Sequence, residues 1–299
     1  MSEFKTALVI DGKKTAETIK SEIKAQVAKL IDDHDKAPHL AAIIVGEDPA
    51  SQTYVAAKEK AAQSVGIVSS VYRYPESLTE DELLKAVDFL NSDDEVDGFI
   101  VQLPLPKHID VDKVIARVSP DKDVDGFHPM NVGKMVLGQA GFVSATPAGI
   151  VELLKRYKIE TEGKHVVVLG RSNIVGSPVS ILMSKKANPG NATVTLCHSK
   201  TNHLEDIMKS ADILICALGQ PEFVKAHMVK QGAVVIDVGI HRVEAKNEKG
   251  FKLVGDVAYN EVAVKAGYIT PVPGGVGPMT IAMLLQNTLK AHLAKLNAE

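Results

Sequence analysis

The chain has 299 residues, long enough for two domains of ordinary size. Its 34 basic and 37 acidic residues leave a formal net charge of -3, which offers nothing to suit a nucleic acid or an anionic membrane. No apolar run approaches the roughly 20 residues of a membrane-spanning helix, and only two cysteines occur, too few for a disulfide framework or a zinc site. Those cysteines, Cys197 and Cys216, each lie in a short apolar run and read as buried strand thiols. The segment MSEFKTALVIDGKK carries Glu3 and lacks the apolar core of a secretory signal, so the expected compartment is reducing and cytoplasmic.

Helix and strand alternate along nearly the whole chain, the pattern of α/β architecture with parallel sheets. Thr15 to Ile31 places Ile19, Ile23, Val27 and Leu30 at helical spacing. A β-rich run from Leu40 to Val45 leads into an alanine-rich helix from Ser51 to Val65, then a strand from Val68 to Tyr74. The spacing Thr79…Glu82 predicts a capping box opening a helix to Leu90. Gly98 to Leu103 is a strand stopped by Pro104 and Pro106. Ser119 to Met135 reads as a long loop, and loops of that length usually carry function. A second alternating unit opens with a helix from Thr146-Pro147 to Tyr157. Its expected strands are His165 to Leu169, Ala192 to Leu196, Asp212 to Ala217 and Ala233 to Val238, with helices near Val175 to Lys186 and His203 to Lys209. Four such strands suggest one open nucleotide-binding sheet. Thr280 to Leu296 is a last amphipathic helix.

HVVVLGRSNIVGSP, from His165 to Pro178, reads as strand, tight turn and helix start. Gly170 permits the turn, Ser172 stands where a dinucleotide fingerprint has its second glycine, and Gly176 allows the helix to pack closely on the strand. A plain glycine turn between strand and helix would look similar. Arg171 within the turn adds a fork-shaped cation suited to the ribose phosphate of NADP. Ser199, after the next strand, supplies a hydroxyl beside it, and Lys200 is either a second cation or simply solvated.

In the first half, Tyr54 and Lys58 are spaced i, i+4 and share a helix face. Alone they read as a surface tyrosine over a solvated lysine. Gln102 ends a strand just before a proline stop, a position where sheet-edge loops form sites. Asp123 and Asp125 lie in the long loop, and Thr270 to Thr280 forms a second, glycine-rich loop.

Taken together, Tyr54-x-x-x-Lys58, GFIVQLPLPKH, DKDVDGFHP, TPAGI, GRSNIVGSP, TVTLCHSKT, ADILICALGQP, VIDVGI and PVPGGVGPMT resemble the methylenetetrahydrofolate dehydrogenase/cyclohydrolase family over essentially the whole chain. The resemblance implies two α/β domains with a cleft between them, the second a Rossmann-like parallel-sheet domain binding NADP. It places a folate-binding domain at 1–145, rejoined by the C-terminal helix from about 279, and the nucleotide domain at 146–278. It implies Lys58 as the catalytic lysine, Tyr54 stacking on the pterin, Gln102 hydrogen-bonding near the lysine, and Asp125 accepting N–H bonds from the pterin edge. Val101, Leu103, Pro273, Gly274, Gly275 and Gly277 would also contact folate, the last four in a loop that closes over it. Gly170, Arg171, Ser172, Ser199 and Ile240 would contact NADP, and Asp123 would structure its loop. No metal is implied, and a homodimer is expected.

The implied reactions are NADP-dependent oxidation of 5,10-methylenetetrahydrofolate to the cationic methenyl species, then hydrolysis to 10-formyltetrahydrofolate. A cation bound beside Lys58 would favour its neutral, basic form, which suits water addition. Two departures from the family pattern stand out. Ala145 replaces a common cysteine, and Lys185 to Asn191 is somewhat long, as a surface loop permits. Alternatives are a monofunctional dehydrogenase, a shikimate- or amino-acid-type dehydrogenase, which leaves VQLPLP and PGGVGPMT unexplained, and a catalytically silent nucleotide-binding regulator.

Overall fold

The structure, a computed structural model, describes residues 6–246 and 250–297. By its contacts the chain divides into two compact units: Met1–Ala16 with Thr146–Thr280, and Glu17–Ala145 with Ile281–Glu299. Two long helices, α1 (Gly12–His34) and α10 (Val276–Leu296), begin in the first of these units and end in the second.

The unit built around residues 17–145 holds a three-stranded parallel sheet of β2 (His39–Val45), β3 (Val68–Tyr74) and β4 (Gly98–Val101), in the order β3-β2-β4. Between them run α2 (Pro49–Ser64) and α3 (Glu80–Ser92). The capping box forms as the spacing requires: the Glu82 N–H donates to Thr79 Oγ1, and Glu82 Oε2 accepts from the Thr79 N–H at 2.9 Å. The apolar stripe of α3, Leu83, Val87 and Leu90, packs with Ile43, Phe99 and Val101 of the sheet in one core cluster.

The stretch from Ser119 to Met135 is not all loop. After α4 (Val111–Arg117) and a turn-rich connection over residues 118–128, α5 runs from Pro129 to Leu137. Pro129 occupies the first helical turn, His128 Nδ1 accepts from the Met130 N–H, and Gly138 ends the helix at φ 73°. These signals were outweighed in sequence by the glycine and prolines around them.

The other unit is a six-stranded, all-parallel sheet. Its strands are β1 (Leu8–Val9), β5 (His165–Leu169), β6 (Thr193–Cys197), β7 (Ile213–Cys216), β8 (Val234–Asp237) and β11 (Tyr268–Ile269), in the order β1-β11-β8-β7-β5-β6. The central strands are mostly apolar, as suits a parallel sheet covered by helices, the polar residues being His165 opening β5 and Asp237 closing β8. Covering elements include α6 (Ala145–Arg156), α7 (Gly176–Ser184), α8 (Leu204–Ser210) and the short α9 (Tyr259–Val262), while β9 (His241–Glu244) and β10 (Phe251–Val254) form an antiparallel hairpin. The two thiols are buried in this core as expected, and burial pushes that of Cys216 well above the ordinary range.

The division differs from a first domain beginning at residue 1. Leu8 and Val9 pair with Tyr268 and Ile269, so backbone hydrogen bonds draw the N-terminal strand into the six-stranded sheet. The sheet accordingly has two strands, β1 and β11, beyond the four expected. The segment Lys185–Asn191 is exposed at Lys186, Ala187 and Asn188, but its end is anchored: Thr161 Oγ1 donates to the Gly190 carbonyl and accepts from the Gly190 N–H, both at 2.8 Å.

Candidate functional site

In the three-stranded unit, α2 is started by Asp48, whose carboxylate accepts from the Ser51 N–H at 2.8 Å, with Pro49 next. That start sets the helix phase, and Val55 is buried while Tyr54 is 44% exposed and Lys58 half-buried. The Lys58 ammonium donates to Gln102 Oε1 at 3.1 Å. The other end of the Gln102 amide donates to the Leu103 carbonyl at 2.6 Å, which leaves the oxygen as the atom facing the ammonium. Gln102 is itself placed by its backbone N–H, which donates to Ile43 and continues the β2–β4 pairing past Val101. The peptide between Leu103 and Pro104 is cis.

Asp125 joins this group electrostatically. Burial raises its carboxyl above the usual range, and the positive charge of Lys58 pulls in the opposite direction. It borders a small cavity with Phe99, Val101, Ile115 and Phe127. Asp123 lines the same cavity, but its carboxylate is committed: it accepts from the Phe127 and His128 N–H groups and from Asn131 Nδ2, and this network structures the loop. The structure thus brings Lys58, Gln102 and Asp125 together, with Tyr54 one helical turn before the lysine. A carboxyl, an ammonium and an amide so arranged can bind a polar heterocycle and move a proton beside it.

In the six-stranded unit, β5 is followed by Gly170 at φ 104°, where a Cβ would lie 2.1 Å from the Ala217 carbonyl oxygen. A Cβ on Gly176 would lie 1.9 Å from the Gly170 carbonyl oxygen, so α7 starts flush against the turn. Arg171 and Ser199 are exposed, and each lies two residues past a register pair, Leu169 with Cys197, on neighbouring strands. They therefore leave the carboxyl end of the sheet side by side, where open α/β sheets bind nucleotides. Ser172 Oγ accepts from the Val175 and Gly176 N–H groups and shapes the turn. Ile240 is 47% exposed just after β8. The close-packed glycine turn and the exposed arginine fit a dinucleotide phosphate.

The glycine-rich loop from Thr270 to Val276 belongs to the same unit. The Lys13 N–H donates to the Gly274 carbonyl at 2.8 Å, Gly274 sits at φ 108°, and a Cβ on Gly12 would meet the Gly275 carbonyl oxygen at 1.8 Å. The peptide between Val272 and Pro273 is cis.

Sequence reasoning missed a buried carboxylate network beneath the strand ends. Asp256 accepts from the Leu218, Gly219 and Gln220 N–H groups and pairs with His241 Nε2 at 2.7 Å. Asp237 accepts from the N–H groups of Gly239, Asp256 and Val257, and burial pushes its carboxyl up to about 7. The loops after β7 and β8 are thereby fastened together. The glycines of LGQ, VGI and VGD were the available signal: a Cβ on Gly255 would sit 1.9 Å from Asp237 Oδ2.

Comparison with known proteins bears on both units. The family model "Tetrahydrofolate dehydrogenase/cyclohydrolase, catalytic domain" matches residues 10–125, and "Tetrahydrofolate dehydrogenase/cyclohydrolase, NAD(P)-binding domain" matches 144–296. A "Bifunctional protein FolD" from Flavobacterium johnsoniae is 60% identical over 285 residues, covering 95% of this chain and 97% of its own. One of the same name from Bacteroides fragilis is 61% identical over 284 residues, with coverage of 95% and 97%. Among solved structures, the bifunctional FolD dehydrogenase/cyclohydrolase of Campylobacter jejuni aligns with TM-score 0.91 at 47% identity, over 97% of this chain and 99% of that one. The Trypanosoma brucei enzyme, complexed with NADP cofactor and inhibitor, aligns with TM-score 0.92 at 40% identity, over 98% and 99%. With both family models matched in order and such identities over nearly full length, the chain belongs to the tetrahydrofolate dehydrogenase/cyclohydrolase family.

Proposed function

We propose that this protein oxidises 5,10-methylenetetrahydrofolate with NADP and hydrolyses the resulting 5,10-methenyltetrahydrofolate to 10-formyltetrahydrofolate. The observation that carries the second activity is the hydrogen bond from Lys58 to Gln102 beside the Asp125 carboxyl. NADP, when bound, accepts the hydride from the bridging methylene carbon. The protein's part in that step is to hold the reacting carbon in place.

In the hydrolytic step, Lys58 acts as the free amine and takes a proton from the water whose oxygen bonds to the methenyl carbon. The bond from that carbon to N5 then breaks as the hydroxyl proton passes to N5, which leaves 10-formyltetrahydrofolate. Gln102 holds the lysine through its oxygen, so the amine has a fixed direction toward the ligand. The exposed Tyr54 ring stacks on the pterin. Asp125 accepts the pterin's N–H groups, and Val101 and Leu103 line the same strand end. Pro273, Gly274, Gly275 and Gly277 are assigned to folate contact. Gly170, Arg171, Ser172, Ser199 and Ile240 are assigned to NADP, with Arg171 taking the 2′-phosphate. The family resemblance further supports a cytoplasmic homodimer with no nucleic-acid or membrane partner. Among the described residues no helix is long and apolar enough to cross a membrane.

Lys58→Met tests the assignment. Methenyltetrahydrofolate hydrolysis should fall to the uncatalysed rate, while NADP reduction with methylenetetrahydrofolate persists and methenyl product accumulates. Hydrolysis at the wild-type rate would remove Lys58 from the mechanism.

A further inference from the structure

We infer that Asn287 is a positioning residue for folate recognition, holding the backbone that presents Asp125; this rests on the role proposed above for Asp125. Asn287 lies on α10, and its Nδ2 donates to the Val124 carbonyl at 2.8 Å and to the Val143 carbonyl at 3.0 Å. Both amide protons are used, one on each of two chain segments. Those segments lie in close contact: a Cβ on Gly126, which sits at φ 72°, would meet the Ser144 N at 2.6 Å. Asn287 closes the same seam from the other side of Asp125.

The Asp125 carboxyl has no tether of its own. Burial and the charge of Lys58 act on it, and no group among the described residues donates it a hydrogen bond. Its aim therefore follows from the backbone on either side. Upstream, Asn131 donates to the Pro120 carbonyl and to Asp123, and the Val124 side chain fills the space over Gly98, where a Cβ would meet it at 2.2 Å. At Val124 itself, the residue before Asp125, the carbonyl is held by Asn287. Only a side chain with two donors serves two carbonyls at once. Aspartate in that place would set a carboxylate against both, and an apolar residue would leave both without a partner.

The test is a double-mutant cycle in the full-length protein. Asn287→Asp and Asn287→Ser are each made alone and on Asp125→Ala, and KM and kcat are measured for methenyltetrahydrofolate hydrolysis without NADP. Calorimetry in the absence of folate gives the Kd for NADP. For Asn287→Asp the folate KM should rise about 10- to 100-fold, with kcat and the NADP Kd changing by less than about twofold. On Asp125→Ala the same change should raise KM by less than about twofold more, because the group it positions is gone. Asn287→Ser keeps one donor and should show a smaller rise in the same pattern, which serves if the Asp variant does not fold. A rise that adds in full on Asp125→Ala, or a folate KM left unmoved, would overturn the inference while leaving Asp125 in place. An unchanged KM in Asp125→Ala alone would overturn the role of Asp125, and this inference with it.

Discussion

Replacing Gln102 by methionine keeps the length of the side chain and deletes both ends of its amide. The lost contacts are the 3.1 Å bond accepted from Lys58 and the 2.6 Å bond donated to Leu103. A hydrogen bond to a charged group contributes about 1.5–3 kcal/mol when it is made in full. Lys58 and Gln102 are both half-buried, so water replaces part of what is removed. The remaining loss, about 1–2 kcal/mol, corresponds to a roughly 5- to 30-fold fall in cyclohydrolase kcat. The measurement is the decay of methenyltetrahydrofolate absorbance without NADP, set beside NADPH formation from methylenetetrahydrofolate. Hydrolysis should fall well short of the complete loss in Lys58→Met, and NADPH formation should change much less. Gln102→Glu sharpens the contrast: a carboxylate against the ammonium holds it charged, so activity drops further and the pH–rate profile moves to higher pH. A wild-type hydrolysis rate in Gln102→Met, or equal losses in the two activities, would refute the idea that the amide positions the lysine.

Arg171→Ala should weaken NADP by about 10-fold, the low end for a charge-assisted contact because the guanidinium is exposed, with NAD affinity unchanged in the same titration. Asp237 predicts a pH-dependent stability. Its carboxyl is raised from 3.8 to about 7 in the fold, so its contribution is fully present below pH 3.8 and is lost as pH rises through 7. The difference in unfolding free energy between wild type and Asp237→Asn should therefore fall by up to about 4 kcal/mol across that range. Denaturant titrations at a series of pH values check it, and a flat difference would contradict the shift.

Elements whose signals are local were legible in the sequence. The Thr79…Glu82 box, the stripe Leu83, Val87, Leu90 and the apolar run of β5 each lie within a dozen residues, and each forms where its pattern places it. Elements made by distant partners were not. Leu8 and Val9 are a strand only because Tyr268 and Ile269 pair with them, and two residues carry no period to read. The hairpin of β9 and β10 and the helix α5 are short, and α5 hides among turn-forming residues.

The site divides along the same line, with a consequence for how its parts are found. Lys58, Gln102 and Asp125, the residues proposed to act on folate, were singled out through strings that resemble a family's motifs, whereas Lys58 alone reads as a solvated lysine. The groups that hold them or the neighbouring loops are ordinary residues in ordinary helices and strand ends. Asn287 reaches Val124 across 163 positions, and Asp256 reaches Leu218 across 38. Such residues have no motif because their partners are backbone atoms, which every residue supplies alike. What identifies them is the geometry of donors against carbonyls, and a half-buried amide spending both protons on two loop segments is a constraint that substitution cannot relax quietly. The glycines mark the same places from the other side. Gly126, Gly239 and Gly255 lie where a Cβ would strike a neighbouring backbone or carboxylate, beside Asp125 or within the Asp237–Asp256 network. In this fold, then, the groups proposed to react are marked by local strings, and the backbone beside them is held by long-range hydrogen bonds that no local string announces.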